Sequence, residues 1–215
     1  MTSFKALTLL SSLLMTLFLT GCSTPPSYNY DALLASEPRS ILIIPPKNNS
    51  VEVNAPYIYL STISRPFGEK GYYVFPVAVI DAFLKENGLP TPEEMNFVPL
   101  DKLYEHIGAD AVLYTEINDW GQKYKILSSE TVVDVSMTLI DGKTGALLWN
   151  ARASAVRSSD SGGGGLLGNL INAVATQIIN SYSDQTPTVA RAANNLAINQ
   201  PSRGLLNGPY ALPKE

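Results

Sequence analysis

The first 21 residues differ in composition from everything that follows them. Lys5 supplies one positive charge, and residues 7–19 then form an apolar run interrupted only by Ser and Thr. This pattern is typical of a secretory signal peptide, and the run is too short for a helix that spans a bilayer. Cys22 follows directly and is the only cysteine, so the exported chain forms no intramolecular disulfide. Its fold must therefore depend on an ordinary apolar core.

The C-terminal end of the apolar run carries a more specific signal. Leu19-Thr20-Gly21-Cys22 resembles the bacterial lipobox, in which the cysteine is acylated, with chains such as palmitate, and becomes the new N-terminus. Several acyl chains on one residue anchor a protein stably, because a single chain binds only reversibly. Ser23 is not acidic, which resembles the sorting pattern of outer-membrane lipoproteins. We therefore expect anchoring at the outer membrane, facing the periplasm.

Charge and composition restrict the partners. The chain has 15 basic and 19 acidic residues, a formal net charge of −4, and no cluster of Lys and Arg. Phosphate neutralisation supplies most nucleic-acid affinity, so we expect no nucleic-acid partner. The apolar fraction of 45% suffices for one domain. We predict a signal peptide at 1–21, a tether at 22–39, an α/β domain at 40–200 and an irregular tail at 201–215.

The tether contains Pro25, Pro26 and Pro38 without a helical or strand period, so the sequence predicts an extended segment. Its residues 23–39 would then reach about 50 Å, at about 3.1 Å per residue. This reach is short for a protein that has to cross the periplasm.

The first half of the domain follows a β-α-β-α-α-β order. A continuous apolar run at 40–46 predicts a strand that is buried on both faces. The capping-box pattern at Thr91 and Glu94 predicts a helix start, and Gly108 predicts a helix end. The remaining predicted elements are a helix at 56–70 kinked or restarted at Pro66, a strand at 72–77, a helix at 79–88, a helix at 100–107 and a strand at 109–120.

The second half changes to a period of two. Val133, Val135, Met137 and Leu139 alternate with polar neighbours, and the turn sequence at 141–145 leads to a further strand at 146–156. We therefore predict an antiparallel meander, and an α/β (α+β) fold with a single mixed sheet that carries its helices on the sheet faces. A last helix is predicted to start at Thr186-Pro187.

Residues able to perform catalysis are few. The single histidine, His106, lies in the last turn of a predicted helix, where interaction with the final carbonyls is the favoured interpretation. A zinc site would need more His or Cys ligands than the chain has. The remaining candidates are carboxylates on strands and turns, which spacing alone does not pair: Asp110, Glu116, Asp119, Asp134 and Asp141. The sequence thus predicts no catalytic residue, no metal, no cofactor and no enzyme.

Residues 166–182 form an uncharged predicted helix with apolar residues at helical spacing. An ordinary helix that covers the sheet is the favoured interpretation. The alternative is a surface for self-association, for a partner or for the membrane, because charges are missing from the whole segment. The candidate interaction residues are Leu167, Leu170, Ile171, Val174 and Ile178.

Five segments together resemble one family: 41–46, 71–76, 108–113, 141–149 and 204–210. This is a family of uncharacterised bacterial lipoproteins of the surface-antigen-candidate type. More remotely, the layout is similar to the periplasmic domain of CsgG, the N-terminal domain of TolB and the lipoprotein activators of peptidoglycan synthases. The resemblance implies a CsgG/TolB-like fold and a role in envelope assembly or secretion through protein contacts. It brings no catalytic residue.

The sequence therefore predicts a non-enzymatic adaptor or accessory component, which binds itself or another envelope protein. A CsgG-like lipoprotein is one candidate partner. Self-association would instead give a homo-oligomer. Two alternatives stay open at this point: an activator of a peptidoglycan synthase, and a subunit of a CsgG-like secretion pore.

Overall fold

The computed structural model describes residues 28–124, 129–158 and 184–213. Cys22, the lipobox residues and the predicted interaction helix at 166–182 lie outside the described residues. The helices are α1 Asp31–Ser36, α2 Ala55–Glu69, α3 Val77–Glu86, α4 Pro92–Met95, α5 Leu100–Ile107 and α6 Thr186–Ile198. The strands are β1 Ser40–Ile43, β2 Lys47–Asn48, β3 Tyr73–Val74, β4 Ala111–Tyr124, β5 Ser129–Asp141 and β6 Leu147–Ser158.

In the described part of the chain, the six strands form one mixed sheet in the order β3-β1-β4-β5-β6. β1 pairs in parallel with β3 and β4, and β2 pairs with β4 beyond the end of β1. β4, β5 and β6 form an antiparallel meander. The predicted single mixed sheet with helices on its faces is confirmed, and β1 is an interior strand as expected.

Each face of the sheet carries its own apolar core. On one face, α2 and α6 pack against the meander, and Tyr59, Phe67 and Trp149 are fully buried there. On the other face, α3, α4 and α5 cover β1 and the start of β4. Residues 41–44 are fully buried because successive side chains of β1 enter opposite cores. Helices therefore cover both faces of the parallel part of the sheet, which gives three layers there.

Local sequence signals account for several element boundaries. The Thr91 side chain accepts from the Glu94 backbone N–H, and the Glu94 carboxylate accepts from the Thr91 N–H, which confirms the predicted capping box. Gly108 ends α5 in the left-handed conformation at φ 74°. In the hairpin turn, the Asp141 carboxylate accepts backbone N–H groups of Lys143 at 3.0 Å and Thr144 at 2.8 Å. This confirms the predicted turn between β5 and β6.

Two predicted elements were wrong in detail. Pro66 does not restart the helix, because α2 runs from Ala55 to Glu69 as one element. A kink at Pro66 stays a prediction. Pro66 is buried with Ile63 and Phe67, and this apolar burial offsets the hydrogen bond that proline removes. The strand predicted at 72–77 has only two residues, because Pro76 stands at the N-cap of α3 and diverts the chain.

The predicted extended tether is also corrected over its second half. α1 lies within it, and Leu33 of α1 is buried to 3% exposure in the core beneath the meander. An isolated helix of six residues is unstable in water, so this burial explains why the sequence showed no helical period. The segment that separates Cys22 from the folded domain therefore ends at Tyr28.

Both ends of the described chain meet at β6. The Tyr28 hydroxyl accepts the backbone N–H of Asn150 at 2.9 Å, and the Arg203 guanidinium lies 5.6 Å from the Tyr28 ring centroid. Tyr30 packs 4.8 Å from Tyr28, between ring centroids, and donates to the Gly204 carbonyl at 2.5 Å. We call Tyr28, Tyr30, Asn150 and Arg203 the clasp. The irregular tail is thus part of the folded domain.

Replacing Gly71 by Ala is expected to loosen the tail. Gly71 has φ +84°, and a Cβ there would lie 2.1 Å from the Ala211 backbone nitrogen. Gly88 is a matched control, because its φ is +86° and its surroundings are open. Gly88→Ala should cost about 1–2 kcal/mol of unfolding free energy, the cost of a left-handed alanine. Gly71→Ala should cost about 1 kcal/mol more through the clash. Equal urea midpoints for the two variants would contradict the docked tail.

Candidate interaction surface

The five carboxylates that the sequence offered as candidates already have structural partners. Asp110 accepts the backbone N–H groups of Arg39 and Ser40, both at 3.0 Å, and so holds the start of β1. Asp141 organises the hairpin turn and accepts the Ser36 hydroxyl at 2.5 Å. Burial acts to raise the pKa of Asp141, but these hydrogen bonds lower it below its usual range. Both side chains stabilise connections between strands and helices.

The other three carboxylates lie on the face of the meander that α2 and α6 do not cover. Glu116 accepts the side-chain amide of Asn49 at 2.7 Å, and Asp119 forms an ion pair with Lys123. Asp134 receives two charge-assisted hydrogen bonds from Arg152 of β6. Asp119 and Asp134 lie opposite each other across β4 and β5, yet each has its own cation. The structure therefore brings these carboxylates onto one sheet face without leaving an acid pair for chemistry.

Asp134→Asn is expected to lower the free energy of unfolding at pH 7 modestly. The Arg152 guanidinium beside Asp134 holds the pKa of that carboxyl below its usual range, although burial acts in the opposite direction. A carboxyl with a lowered pKa stabilises the fold above its unfolded pKa of about 4, and this stabilisation is lost as the pH falls through the folded value. The Arg152 side chain is 66% exposed, so the effect is screened.

Urea unfolding at pH 7, 5 and 3 measures this effect. The difference between wild type and Asp134→Asn should be present at pH 7 and 5 and shrink at pH 3. A difference that stays constant over this range would contradict the assigned role of the ion pair.

His106 lies in the last turn of α5, as predicted, and its side chain is exposed. Within residues 28–124, 129–158 and 184–213, no group of three or more His, Cys, Asp and Glu side chains is arranged to hold a metal ion. The same described residues contain no helix that is long and apolar enough to cross a membrane.

Sequence reasoning missed the most exposed apolar surface. The loop between β2 and α2 is mostly polar, yet Val51 is 92% and Val53 82% exposed at its tip. Tyr57, in the first turn of α2, and Phe97, after α4, are also exposed, to 43% and 68%. We call Val51, Val53, Tyr57 and Phe97 the ridge. The two valines standing in a polar loop were the sequence signal for it.

Hydrogen bonds hold the loop of the ridge in place. The Asn48 side-chain carbonyl accepts the backbone N–H of Ser50 at 3.0 Å, and its amide donates to the Glu52 carbonyl at 2.9 Å. Asn49 donates its backbone N–H to the Ile117 carbonyl of β4 at 2.9 Å. These polar groups satisfy the turn locally and fix it to the sheet. The valines are therefore presented by an ordered loop.

An apolar groove of about 390 Å³ runs through the ridge between this loop and the segment that leads into α4. Apolar and polar side chains contribute to its walls: Val53, Pro56, Tyr57, Pro90 and Pro92, with Asn48, Ser50, Thr91 and Glu93 at the edges. The three prolines and the start of α2 limit the conformational freedom of these walls. The groove is thus a preformed concave surface.

Charged groups border the ridge. The Lys47 ammonium lies 4.7 Å from the Phe97 ring centroid and 3.9 Å from the Glu93 carboxylate. The Lys85 ammonium lies 4.6 Å from the Tyr57 ring centroid and forms a 2.7 Å ion pair with Asp81. Each lysine is therefore offset by one carboxylate. Glu52, between the two valines, adds a further negative charge, so the border is net acidic.

Comparison with known proteins assigns the chain to a family. The family model described as "Putative lipoprotein GNA1162-like" matches residues 28–210, which include the clasp, the ridge and the whole sheet. The chain belongs to this family. Membership implies a lipid-anchored protein of the bacterial envelope. The predicted resemblance to uncharacterised lipoproteins is confirmed.

Relatives agree with this assignment. The chain is 38% identical over 204 residues to the "Putative lipoprotein NMB1124/NMB1162" of Neisseria meningitidis serogroup B, covering 94% of this chain and 95% of the relative. The crystal structure of lipoprotein GNA1162 from Neisseria meningitidis is similar with a TM-score of 0.56 and 41% identity, covering 67% of this chain and all of that one. The fold is therefore that of a family member with a solved structure.

A more distant similarity is to the PelC dodecamer from Paraburkholderia phytofirmans. It has a TM-score of 0.42 and 18% identity, and covers 79% of this chain and 93% of the PelC chain. The predicted remote similarity to CsgG and TolB stays a prediction.

Proposed function

We propose that this protein is a non-enzymatic adaptor, anchored in the outer membrane through acylated Cys22 and facing the periplasm, that binds another envelope protein during envelope assembly or secretion. The observation that carries the proposal is the ridge: Val51, Val53, Tyr57 and Phe97 are exposed, and Val53 and Tyr57 line the groove. Contiguous exposed apolar surface on a folded domain is a marker of interaction sites.

The contacts of the candidate carboxylates support binding over catalysis. A general acid or base has to reach a substrate, and Asp110, Asp134 and Asp141 are engaged by backbone N–H groups, Arg152 or Ser36. Removing any of them would loosen the fold before it affected a reaction. Stabilising roles therefore account for these carboxylates.

The chemistry of the ridge supports one kind of partner. A protein segment with apolar side chains would fill the groove, and a basic side chain beside them would complement Glu52, because Glu93 and Asp81 are already paired with Lys47 and Lys85. Because the loop is already ordered, binding would lose little conformational entropy there. We therefore assign the ridge to an apolar, basic segment of a protein partner.

The alternatives receive less support from the structure. Five residues separate Cys22 from Tyr28, and the six residue steps between them span about 20 Å when fully extended, less than half the reach expected from the sequence. This short reach disfavours an activator that meets a synthase of the other membrane. A pore subunit would have to turn Asp134 and Arg152 toward lipid, which is costly for charged groups.

A photoreactive amino acid at position 53 or 97, introduced into the lipidated protein in cells, tests the proposal. Leu212 is a matched control, because it is apolar and 87% exposed outside the ridge. We expect one partner to crosslink from both ridge positions and not from position 212. The proposal fails if no crosslink forms at the ridge, or if all three positions give the same products. A crosslink to a second copy of the chain would instead indicate a homo-oligomer.

A further inference from the structure

The clasp determines where the chain leaves the folded domain toward Cys22. Tyr28 is held by the Asn150 backbone N–H at 2.9 Å and by the Arg203 guanidinium over its ring. Arg203 also donates to the Asn150 side-chain carbonyl at 3.2 Å, and the Arg203 carbonyl accepts the Trp149 indole N–H at 2.9 Å. The exit point is therefore connected to the core and does not swing independently of it.

The distance from this exit point to the bilayer is short. The six residue steps from Cys22 to Tyr28 span at most about 20 Å, which is less than the width of the domain along β4. At about 3.3 Å per residue, the 14 residues of β4 extend over roughly 45 Å. A domain held this close at one fixed point can approach the bilayer with only part of its surface.

The ridge lies on a different part of the domain from the clasp. Asn150 lies opposite Thr138, which lies opposite Tyr114 of β4. The loop of the ridge contacts β4 further along the strand. There, the Glu52 side chain lies 3.1 Å from the point that a Cβ added to Gly121 would occupy. From Tyr114 to Gly121 the strand advances by roughly 23 Å. A bilayer at the clasp therefore leaves the ridge accessible from the periplasm.

We propose that the clasp is the bilayer-facing surface of the lipidated protein, and that it orients the domain so that the ridge points away from the membrane. The inference rests on the proposed anchor at Cys22. Arg203 is suited to the headgroup region, where its guanidinium can bind lipid phosphate. Arg203 is exposed and uses one N–H toward Asn150, so further donors face outward.

The neighbouring helix α1 limits how deep this contact goes. Its exposed side combines Leu34, 61% exposed, with Asp31 and with Glu37 just beyond its end. Carboxylates next to the apolar side chain oppose insertion into the hydrocarbon region. The contact is therefore at the level of the headgroups, with Arg203 beside the lipid phosphates.

Single-cysteine labelling of the lipidated protein in vesicles of phosphatidylethanolamine and phosphatidylglycerol tests this orientation. An acylated Cys22 has no free thiol, so a bimane label attaches only at Ser202→Cys, beside the clasp, or at Val53→Cys, on the ridge. A nitroxide on the lipid headgroup quenches labels that lie near the bilayer surface. We expect several-fold stronger quenching at position 202 than at position 53.

Tyr28→Ala should reduce this difference, whereas Tyr210→Ala, which replaces an exposed tyrosine outside the clasp, should preserve it. Equal quenching at both positions, stronger quenching at position 53, or an unchanged difference in Tyr28→Ala would overturn the inference. Failure of the anchor gives a separate result: the chain without an introduced cysteine would then take up label at Cys22 and would not float with vesicles.

Discussion

The Cys22→Ser protein is expected to incorporate no fatty acid and to lose its membrane anchor completely. Cys22 is the only cysteine of the chain, so no second thiol can replace it. Serine is nearly the same size but forms no thioether, and position 22 is outside the residues that form the described domain. The change should therefore remove the anchor without changing the stability of the fold. Metabolic labelling with an alkyne palmitate and partitioning into a detergent-rich phase measure the two effects.

Ser23→Ala is the control, because it changes the neighbouring residue and keeps the thiol. Its labelling and partitioning should match those of the wild type. If Cys22→Ser still incorporated palmitate, or stayed in the detergent phase as the wild type does, the anchor would lie elsewhere. The orientation assigned to the clasp would then lose its basis.

Trp149→Ala is expected to cause the largest loss of stability among single changes in the described core. The Trp149 side chain is fully buried beneath the meander, with its ring 6.3 Å from Phe67 in an edge-to-face arrangement. Its indole N–H donates to the Arg203 carbonyl at 2.9 Å, which connects the core to the clasp. Truncating a buried tryptophan costs about 3–5 kcal/mol, because the transfer free energy is lost and a cavity remains.

Trp149→Phe separates the two contributions. It keeps an aromatic ring but leaves the Arg203 carbonyl without its donor, at a cost of about 1–3 kcal/mol. Urea unfolding of the mature, non-acylated chain measures both free energies. An alanine variant no less stable than the phenylalanine variant would contradict the central place of this side chain in the core.

Elements with strong local signals were predictable from the sequence. The apolar run of β1, the alternation of β5 and the capping box at Thr91 each depend on neighbouring residues, and each was confirmed. α1 was not predictable, because its six residues are helical only through the burial of Leu33 in the core. The length of β3 depends on Pro76 and on pairing with β1, which spacing does not reveal.

The interaction surface was harder to predict than the fold. Val51 and Val53 are close to Tyr57 in the sequence, but the prolines at 90 and 92 reach the groove only through the packing of α4 against β2. Spacing alone did not show which partners the candidate carboxylates have. Their actual partners, such as Asn49 for Glu116 and Ser36 for Asp141, come from distant segments.

The affinity of the purified, lipidated protein for the partner that crosslinks at the ridge tests the central claim most directly. Val53→Asp places a carboxylate in the groove, and Leu212→Asp makes the same change at an equally exposed apolar position outside it. A desolvated, unpaired carboxylate costs several kcal/mol, so Val53→Asp should weaken binding at least about 100-fold. Leu212→Asp should bind like the wild type. Equal affinities for Val53→Asp and wild type would contradict a partner-binding role for the ridge.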